Sequence, residues 1–266
     1  MIVVALKGAD DAVSAGTDQT GAVTEDATGT TATGSISPTD VDTGTSFTYT
    51  GDATGTYGAI AVTSAGAWTY TLNNADADTT ALDSTDSVTD AFTMTVSDGD
   101  ASDTMTVTIT VTGANDAPAV GTEIAETSVD EDDTSFSLDV STSFTDVDTG
   151  DVLTYSATGL PTSGNLAISS AGVISGTPLN ADVGIYTVVV TATDDSSTTA
   201  PGTATDTFTL TVVNTNDLTT GTVTITGDAY DDEILTAVTD TLADDDGMGT
   251  FTYQWANQDG DITGAT

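Results

Sequence analysis

The sequence predicts an all-β protein of tandem antiparallel β-sandwiches, the last one incomplete. Three observations carry this expectation: apolar residues recur two apart over short segments, turn-forming clusters of Gly, Asp, Asn and Ser separate those segments, and a junction motif recurs along the chain. Period-two alternation marks a strand with one buried face, and turn signals about every ten residues mark a sandwich. Helix signals are almost absent.

In chain order, the alternating segments are Phe47/Tyr49, Trp68/Tyr70/Leu72, Phe92/Met94/Val96 and Met105/Val107/Ile109/Val111, then Leu153/Tyr155, Tyr186/Val188/Val190, Phe208/Leu210/Val212 and Phe251/Tyr253/Trp255. Thr, Ser or Ala stands between the apolar positions, and Thr supplies more than a fifth of the chain. A β-branched side chain that tolerates water suits the outer face of a strand. Trp68 and Trp255, on alternating segments, are expected in cores rather than on a sugar-binding platform.

A repeat sets the organisation. Gly8-Ala-Asp-Asp-Ala12 returns as Gly113-Ala-Asn-Asp-Ala-Pro118, and more loosely as Val213-Asn-Thr-Asn-Asp-Leu218. Its last Asp falls at Asp11, Asp116 and Asp217, each copy following an alternating strand. The expected units are therefore residues 1–8 as the last strand of a preceding module, then sandwiches over 9–116 and 117–217, and a partial one over 218–266. About a hundred residues is the length of a seven-strand sandwich. The final 49 residues are too few to close one. Either this module is truncated, or a strand from another chain completes it by head-to-tail donation.

Composition excludes several functions. Against 42 Asp and Glu stands a single basic residue, Lys7, with no His and no Cys, for a formal charge of −41. Phosphate neutralisation needs clustered Lys and Arg, so nucleic acid is not an expected partner. No run of ~20 apolar residues is present, so direct membrane insertion is not expected either. A Ser-His-Asp triad, a Cys nucleophile, a zinc site of the usual ligands and a disulfide framework all lack their residues. Paired carboxylates can cleave glycosides, but here the acids repeat with the module period, as structural ligands would, and no enzyme is expected.

The acids are also of one kind. Five are Glu and the remaining 37 are Asp. A short carboxylate reaches a cation from a turn and braces that turn by accepting from its own backbone. After each junction comes an Asp-x-Asp: Asp40-Val-Asp42, Asp146-Val-Asp148 and Asp244-Asp-Asp246, lying 29, 30 and 27 residues beyond the junction Asp. Glu25-Asp26 and Glu131-Asp132 sit at matching offsets, 106 residues apart. Strands end in Ser97-Asp98-Gly-Asp100 and Thr193-Asp194-Asp195. Turns of a sandwich collect at its two poles, so these acids are expected to converge and to repel unless a cation sits among them. Ca2+, which takes six to eight oxygens in flexible geometry, fits better than Mg2+. The loops are not EF-hands, because the twelfth position counted from Asp146 is Ala157.

This pattern resembles the cadherin family, in which calcium is held between successive sandwiches by a base Glu, an acidic motif before a late strand, an Asn/Asp-rich linker, and Asp-x-Asp plus a further Asp from the next module. The resemblance implies ligands Glu25, Asp83 or Asp86, Asn115, Asp116, Asp146, Asp148 and Asp194 at the first joint. It implies Glu131, Asp182, Asn216, Asp217, Asp244 and Asp246 at the second, and Asp10, Asp11, Asp40, Asp42 and Asp98 at an upstream half-joint. The linker is shorter than the cadherin one, and the acidic motif lacks its Arg and Glu.

Residues 23–116, with Val23-Thr-Glu-Asp26, Gly66-Ala-Trp-Thr-Tyr-Thr-Leu72 and Thr110-Val-Thr-Gly-Ala-Asn-Asp116, resemble a VCBS repeat of bacterial surface proteins. Residues 117–217, with Gly172-Val-Ile-Ser-Gly-Thr-Pro178 and Gly184-Ile-Tyr-Thr-Val-Val-Val-Thr-Ala-Thr-Asp194, resemble a dystroglycan-type cadherin-like or bacterial Ig-like domain. Residues 218–266, with Thr252-Tyr-Gln-Trp255, resemble the first half of an adhesin Ig-like repeat. The resemblances imply a secreted or cell-surface adhesin stalk or fibre stiffened by Ca2+. Its partners would be neighbouring modules of one long chain or identical chains in a fibre, and strand exchange would make it a filament or sheath subunit.

Overall fold

The computed structural model describes residues 10–42, 44–195, 201–228, 233–257 and 260–261. The expected strand over 1–8 lies outside them. What is described is β-structure with two one-turn 3-10 helices, and none of its helices is long and apolar enough to cross a membrane.

Eight strands form the first sandwich: β1 (Gln19–Thr24), β2 (Thr31–Ser35), β3 (Thr48–Thr50), β4 (Ala53–Thr54), β5 (Gly58–Val62), β6 (Ala67–Leu72), β7 (Ser87–Ser97) and β8 (Ser102–Thr112). They make two sheets, in the orders β1-β8-β7-β3 and β2-β6-β5-β4. The alternation dictates the packing. In the antiparallel β7–β8 pair Phe92 stands opposite Val107 and Met94 opposite Met105, all facing inward, while Thr93 and Thr106 pair on the outer face. These apolar groups meet Ile60, Trp68, Tyr70 and Leu72 from the facing sheet in one core. Each large side chain buried there contributes about 1.5–3 kcal/mol.

Trp68 is 1% exposed, and its indole N–H donates to Gln19 Oε1 at 2.7 Å. Gly34 lies directly opposite Trp68 in the β2–β6 ladder, where a Cβ would collide with the indole ring. Gly34→Ala is therefore expected to destabilise the first module by about 1–3 kcal/mol, the usual cost of overpacking. Chemical denaturation measures this, and an unchanged midpoint would contradict the packing described.

The second sandwich contains β9 (Ala119–Val120), β10 (Thr127–Asp130), β11 (Ser137–Asp139), β12 (Phe144–Thr145), β13 (Thr154–Thr158), β14 (Ala167–Ile168), β15 (Val173–Ser175), β16 (Gly184–Thr193) and β17 (Thr203–Val213). Its sheets are β10-β17-β16-β13 and β11-β15-β14, with β9 paired to β12. Val188, Val190, Leu210 and Ile174 are fully buried between them.

Beyond residue 217 the described structure is slight: β18 (Thr224–Thr226) pairs with β19 (Thr236–Val238), and β20 (Ala256–Asn257) with β21 (Gly260–Asp261). The expected strand over 251–255 pairs with no described strand, and Phe251 and Tyr253 remain exposed, so alternation alone did not suffice there. Trp255 is half-buried beside Leu235 and Tyr253, short of the core position expected for it.

The sheets are not wholly antiparallel. β1 runs parallel to β8, from Gln19 opposite Val107 to Thr24 opposite Thr112, and β10 runs parallel to β17. β1 in the first module and β10 in the second thus travel in the same direction as the last strand of their module. This threading carries the chain in at one pole and out at the other, so the acidic loops of successive modules meet.

Candidate metal centre at the intermodule joints

The parallel first strand delivers the base Glu. Glu25 extends the β1–β8 ladder by one bond, its N–H donating to the Thr112 carbonyl at 2.9 Å. Glu131 does the same with Val213 at 2.9 Å. The next residue turns the chain away: Asp26 and Asp132 have φ of 53° and 59°, the only described non-glycine residues at positive φ. Asp tolerates this region better than most residues, and such strain concentrates at functional sites.

Each Asp-x-Asp loop is a turn closed on itself. The first carboxylate accepts from the backbone N–H of the third residue: Asp40 Oδ1 from Asp42 at 2.6 Å, Asp146 Oδ1 from Asp148 at 3.1 Å, and Asp244 Oδ1 from Asp246 at 3.1 Å. The third carboxylate then accepts from the junction Asp, so that Asp42, Asp148 and Asp246 take the N–H of Asp11, Asp116 and Asp217 at 2.9, 2.7 and 2.6 Å. One bond is thus repeated at all three poles. The linker Asn is also repeated: Asn115 and Asn216 donate to the carbonyls of Asp116 and Asp217, both at 2.8 Å.

At the first joint the structure gathers most of the expected residues. Glu25 is 2% exposed, and its Oε2 accepts from Ala114 N–H at 3.2 Å. Asp148 is 5% exposed. Asp194, also buried, accepts at Oδ2 from Asn115 Nδ2 at 3.1 Å and from Gly202 N–H at 2.7 Å. One bond crosses directly between modules, from Thr149 N–H to the Ala81 carbonyl at 3.1 Å. Ligand oxygens of Asp146, Asp148 and Asp151 lie within 4.8 Å of one another. Two oxygens on opposite sides of one Ca2+ stand about twice the ~2.4 Å bond apart, so one ion can span this group.

Electrostatics mark the same place. Burial pushes Glu25 up to about 7, with Asp116, Asp26 and Asp148 adding repulsion against the Ala114 amide that opposes it. Burial raises Asp148 to about 6, reinforced by Asp116, Asp146 and Asp151 although the Asp116 amide opposes. Asp116 and Asp151 are raised as well, first by burial and then by neighbouring carboxylates.

A sharper mark is left by oxygens that no protein group satisfies. Among the described residues, the buried side-chain atoms without a hydrogen-bond donor are Glu25 Oε1, Asn74 Oδ1, Asp146 Oδ2, Asp148 Oδ1 and Asp151 Oδ2 at the first joint. Glu131 Oε2 and Asp217 Oδ2 belong to the second joint, and Asp40 Oδ2 and Asp98 Oδ2 to the upstream pole. None lies elsewhere. Asp90 shows the contrast: it is 4% exposed in the first module and accepts from Thr56 N–H, Tyr57 N–H and the Tyr70 hydroxyl. A buried acid with a purely structural role is satisfied in this way.

Other expected residues are placed differently. The Asp83 and Asp86 carboxylates fold into their own turn, on Thr85 N–H and Asp83 N–H respectively, although Asp83 still repels Asp151. Asp182 is directed to three backbone amides, those of Ser163, Gly164 and Leu179 at 2.9, 2.6 and 3.0 Å. Burial opposes its ionisation, but those amides outweigh it and hold the carboxyl below its usual range. At the second joint Glu131 Oε1 accepts from Thr215 N–H at 2.8 Å, and Asp244 Oδ2 from the Thr219 hydroxyl at 2.8 Å. At the upstream pole Asp98 Oδ1 accepts from Ala101 and Asp100 amides at 2.7 and 2.9 Å. Exposed Asp10 is raised by desolvation and by repulsion from Asp98, Asp100, Asp42 and Asp40, which brings four of the five expected acids of that pole together, the fifth, Asp11, joining through its amide bond to Asp42.

The sequence reading missed Asp151, Asp26 and Asn74. Asp151 is the sixth residue of Asp146-Val-Asp-Thr-Gly-Asp151, but the first module has Thr45 at the matching place, so comparing modules hides it. Asn74 donates to Asp26 Oδ1 at 3.2 Å, and Asn180 lies 106 residues further on, the same offset as Glu25 to Glu131. That offset was the available signal.

Fold and site together define a tandem of cadherin-like and Ig-like sandwiches with acidic joints. Residues 9–113 match the family described as Bacterial cadherin-like domain, and residues 117–213 match the Putative Ig domain family. Among solved structures, human mucin-like protocadherin EC1-2 is 16% identical, with 74% of this chain and 97% of that one covered at a TM-score of 0.50. Mouse cadherin-23 EC22-24 is 19% identical over 89% of this chain and 78% of that one, TM-score 0.50. Human protocadherin-24 EC1-2 is 19% identical over 78% and 100%, TM-score 0.51. At these identities the likeness shows the fold alone. No curated protein sequence matches the chain.

Proposed function

We propose that this chain is a calcium-stiffened segment of an extracellular adhesin stalk or surface fibre. The observation supporting this is the set of buried carboxylate oxygens without donors, which lie at the two joints and at the upstream pole of the first module. Burying an unpaired charge is costly, and the described residues offer no Lys, Arg or His to pair with these acids. A hard divalent cation supplies what they lack. Glu25, Asp116, Asp146, Asp148, Asp151 and Asp194 would hold it at the first joint, with Asn115 in the linker. Their all-oxygen set, drawn from flexible turns, suits Ca2+ better than the octahedral, water-retaining Mg2+. Bound ions would cancel the repulsion and fix the angle between modules 9–116 and 117–217, and likewise between 117–217 and 218–266. The chain would then act as a spacer projecting other domains. The cadherin-like and Ig-like matches support an adhesion or structural role outside the cell.

The alternative of a filament or sheath subunit is favoured by one observation. Ile225 on β18 is 61% exposed and Ile234 is 80% exposed, apolar surface that a strand from an identical chain, such as residues 1–8, would cover. Sedimentation separates the readings, since exchange gives oligomers and a spacer stays monomeric.

The calcium claim is tested by equilibrium dialysis with small-angle scattering on the same samples. Bound Ca2+ at the joints, with larger and better-defined molecular dimensions than in EGTA, is expected. No bound ion and identical scattering would overturn it.

A further inference from the structure

The two joints share a plan but differ at two oxygens of the Asp-x-Asp loop: Asp146 Oδ2 has no donor where Asp244 Oδ2 accepts from the Thr219 hydroxyl, and the third residue differs as well. In each, the third residue of Asp-x-Asp gives one carboxylate oxygen to the junction amide, Asp148 to Asp116 and Asp246 to Asp217. At the first joint the other oxygen, Asp148 Oδ1, is buried with no donor. At the second, Asp246 Oδ1 accepts from Asn214 Nδ2 at 2.8 Å and, more weakly, from Asn180 Nδ2 at 3.5 Å. Asn180 belongs to the one-turn helix Asn180–Asp182 of the second module and Asn214 directly follows β17, so both reach across to the loop of the next module. In the first module the counterpart of Asn180 at the 106-residue offset is Asn74, which turns instead to Asp26 within its own module.

Their surroundings differ in the same sense. Glu25, Asp146, Asp148 and Asp151 each leave a buried oxygen bare at the first joint, against Glu131 and Asp217 at the second, and the first joint's bonds from Thr149 N–H to the Ala81 carbonyl and from Asn115 Nδ2 to Asp194 satisfy none of those bare oxygens. At the second, Asp246 is exposed, and Gly249 stands where the second module has Asp151. Charge-assisted bonds from a neutral carboxamide satisfy a carboxylate without adding a competing cation.

We infer that the second joint is latched by Asn214 and Asn180 on Asp246, so that it keeps its angle without Ca2+ and takes the ion only at higher concentration, whereas the first joint depends on the ion. The inference rests on the calcium reading proposed above. It makes the chain a graded device: as Ca2+ falls the first joint loosens and the second holds.

The chain has no Cys, so paired spin labels can be placed at will. Exposed positions are available for Thr93→Cys with Thr187→Cys across the first joint, and for Thr187→Cys with Thr226→Cys across the second. In EGTA the first pair is expected to give a broad distance distribution and the second a narrow one. On adding CaCl2 the first is expected to sharpen at a concentration roughly tenfold below that filling the second joint, the order of one charge-assisted hydrogen bond to be displaced. With Asn180→Ala and Asn214→Ala combined, the second pair broadens in EGTA, and its joint binds Ca2+ at roughly tenfold lower concentration. Equal broadening of both pairs in the unsubstituted background, or a second pair that stays narrow in the variant, overturns the latch while leaving the calcium reading intact. Absence of any bound Ca2+ overturns both.

Discussion

Stripping divalent ions with EGTA is expected to lower the melting temperature of the chain, and adding Ca2+ back to restore it. For a single site, ligand at a hundred times its Kd adds about 2.7 kcal/mol to the native state. With donorless buried oxygens at three poles, the summed effect is expected to exceed that of any single substitution away from the core. Two controls separate site binding from general screening. Raising NaCl weakens repulsion among exposed charges, whose reach is about 8 Å at 0.15 M salt, but leaves buried groups such as Glu25 and Asp148 little changed. Mg2+ at the same concentration is expected to restore less, because it gives up its waters reluctantly. A melting temperature unmoved by EGTA, or fully restored by NaCl alone, would falsify the reading.

Glu25→Gln is expected to act in opposite directions with and without the ion. The folded chain holds this carboxyl at about 7, above the ordinary 4.5, so between those values the native state binds more protons than the unfolded one. The associated stability is complete below pH ~4.5 and is lost as pH rises through ~7. Asp148, raised to about 6, adds to the same trend over a lower window. In EGTA the unsubstituted protein should therefore become less stable from pH 5 to pH 8. Gln keeps an acceptor for Ala114 N–H and removes the buried charge, so the variant should be more stable at pH 8 without ions, by about 1–3 kcal/mol, and show a shallower pH slope. With Ca2+ present the order reverses, since the ion needs the ionised oxygen. Denaturant titrations at pH 5 and pH 8, with and without Ca2+, measure all four corners. Destabilisation by Gln in both media would show that Glu25 serves packing instead.

Much of this architecture was legible because period-two alternation survives any tertiary arrangement. Phe92/Met94/Val96 and Met105/Val107/Ile109/Val111 became the inner faces of β7 and β8, and Trp68 entered the first core. The parallel pairing of β1 and β10 was not legible, because the direction in which a strand is paired leaves no mark on its side-chain period. Phe251/Tyr253/Trp255 carry the same alternation without a described partner strand, which is why pattern alone overreached there.

The acidic poles were read from repetition, which registers an acid only where the modules agree. Asp151 has no counterpart in the first module, and Asp182 was read as an ion ligand although three backbone amides take up its carboxylate. A sequence gives the spacing of an acid but not the direction in which the local turn sends its oxygens. The Asn residues facing Asp246 were passed over because a neutral amide does not register in a charge pattern.

The parallel ladder between the first and last strands also determines how the molecule bears mechanical load. When the two ends of a module are pulled apart, β1 and β8 are drawn in opposite directions along their common axis. The six registered positions from Gln19–Val107 to Thr24–Thr112 are then loaded together, in shear, rather than opened one after another like a zip. In the second module the four positions from Thr127–Leu210 to Asp130–Val213 carry the same geometry with a shorter overlap. The longer overlap is expected to make the first sandwich the stronger link under tension and the second the one that yields earlier.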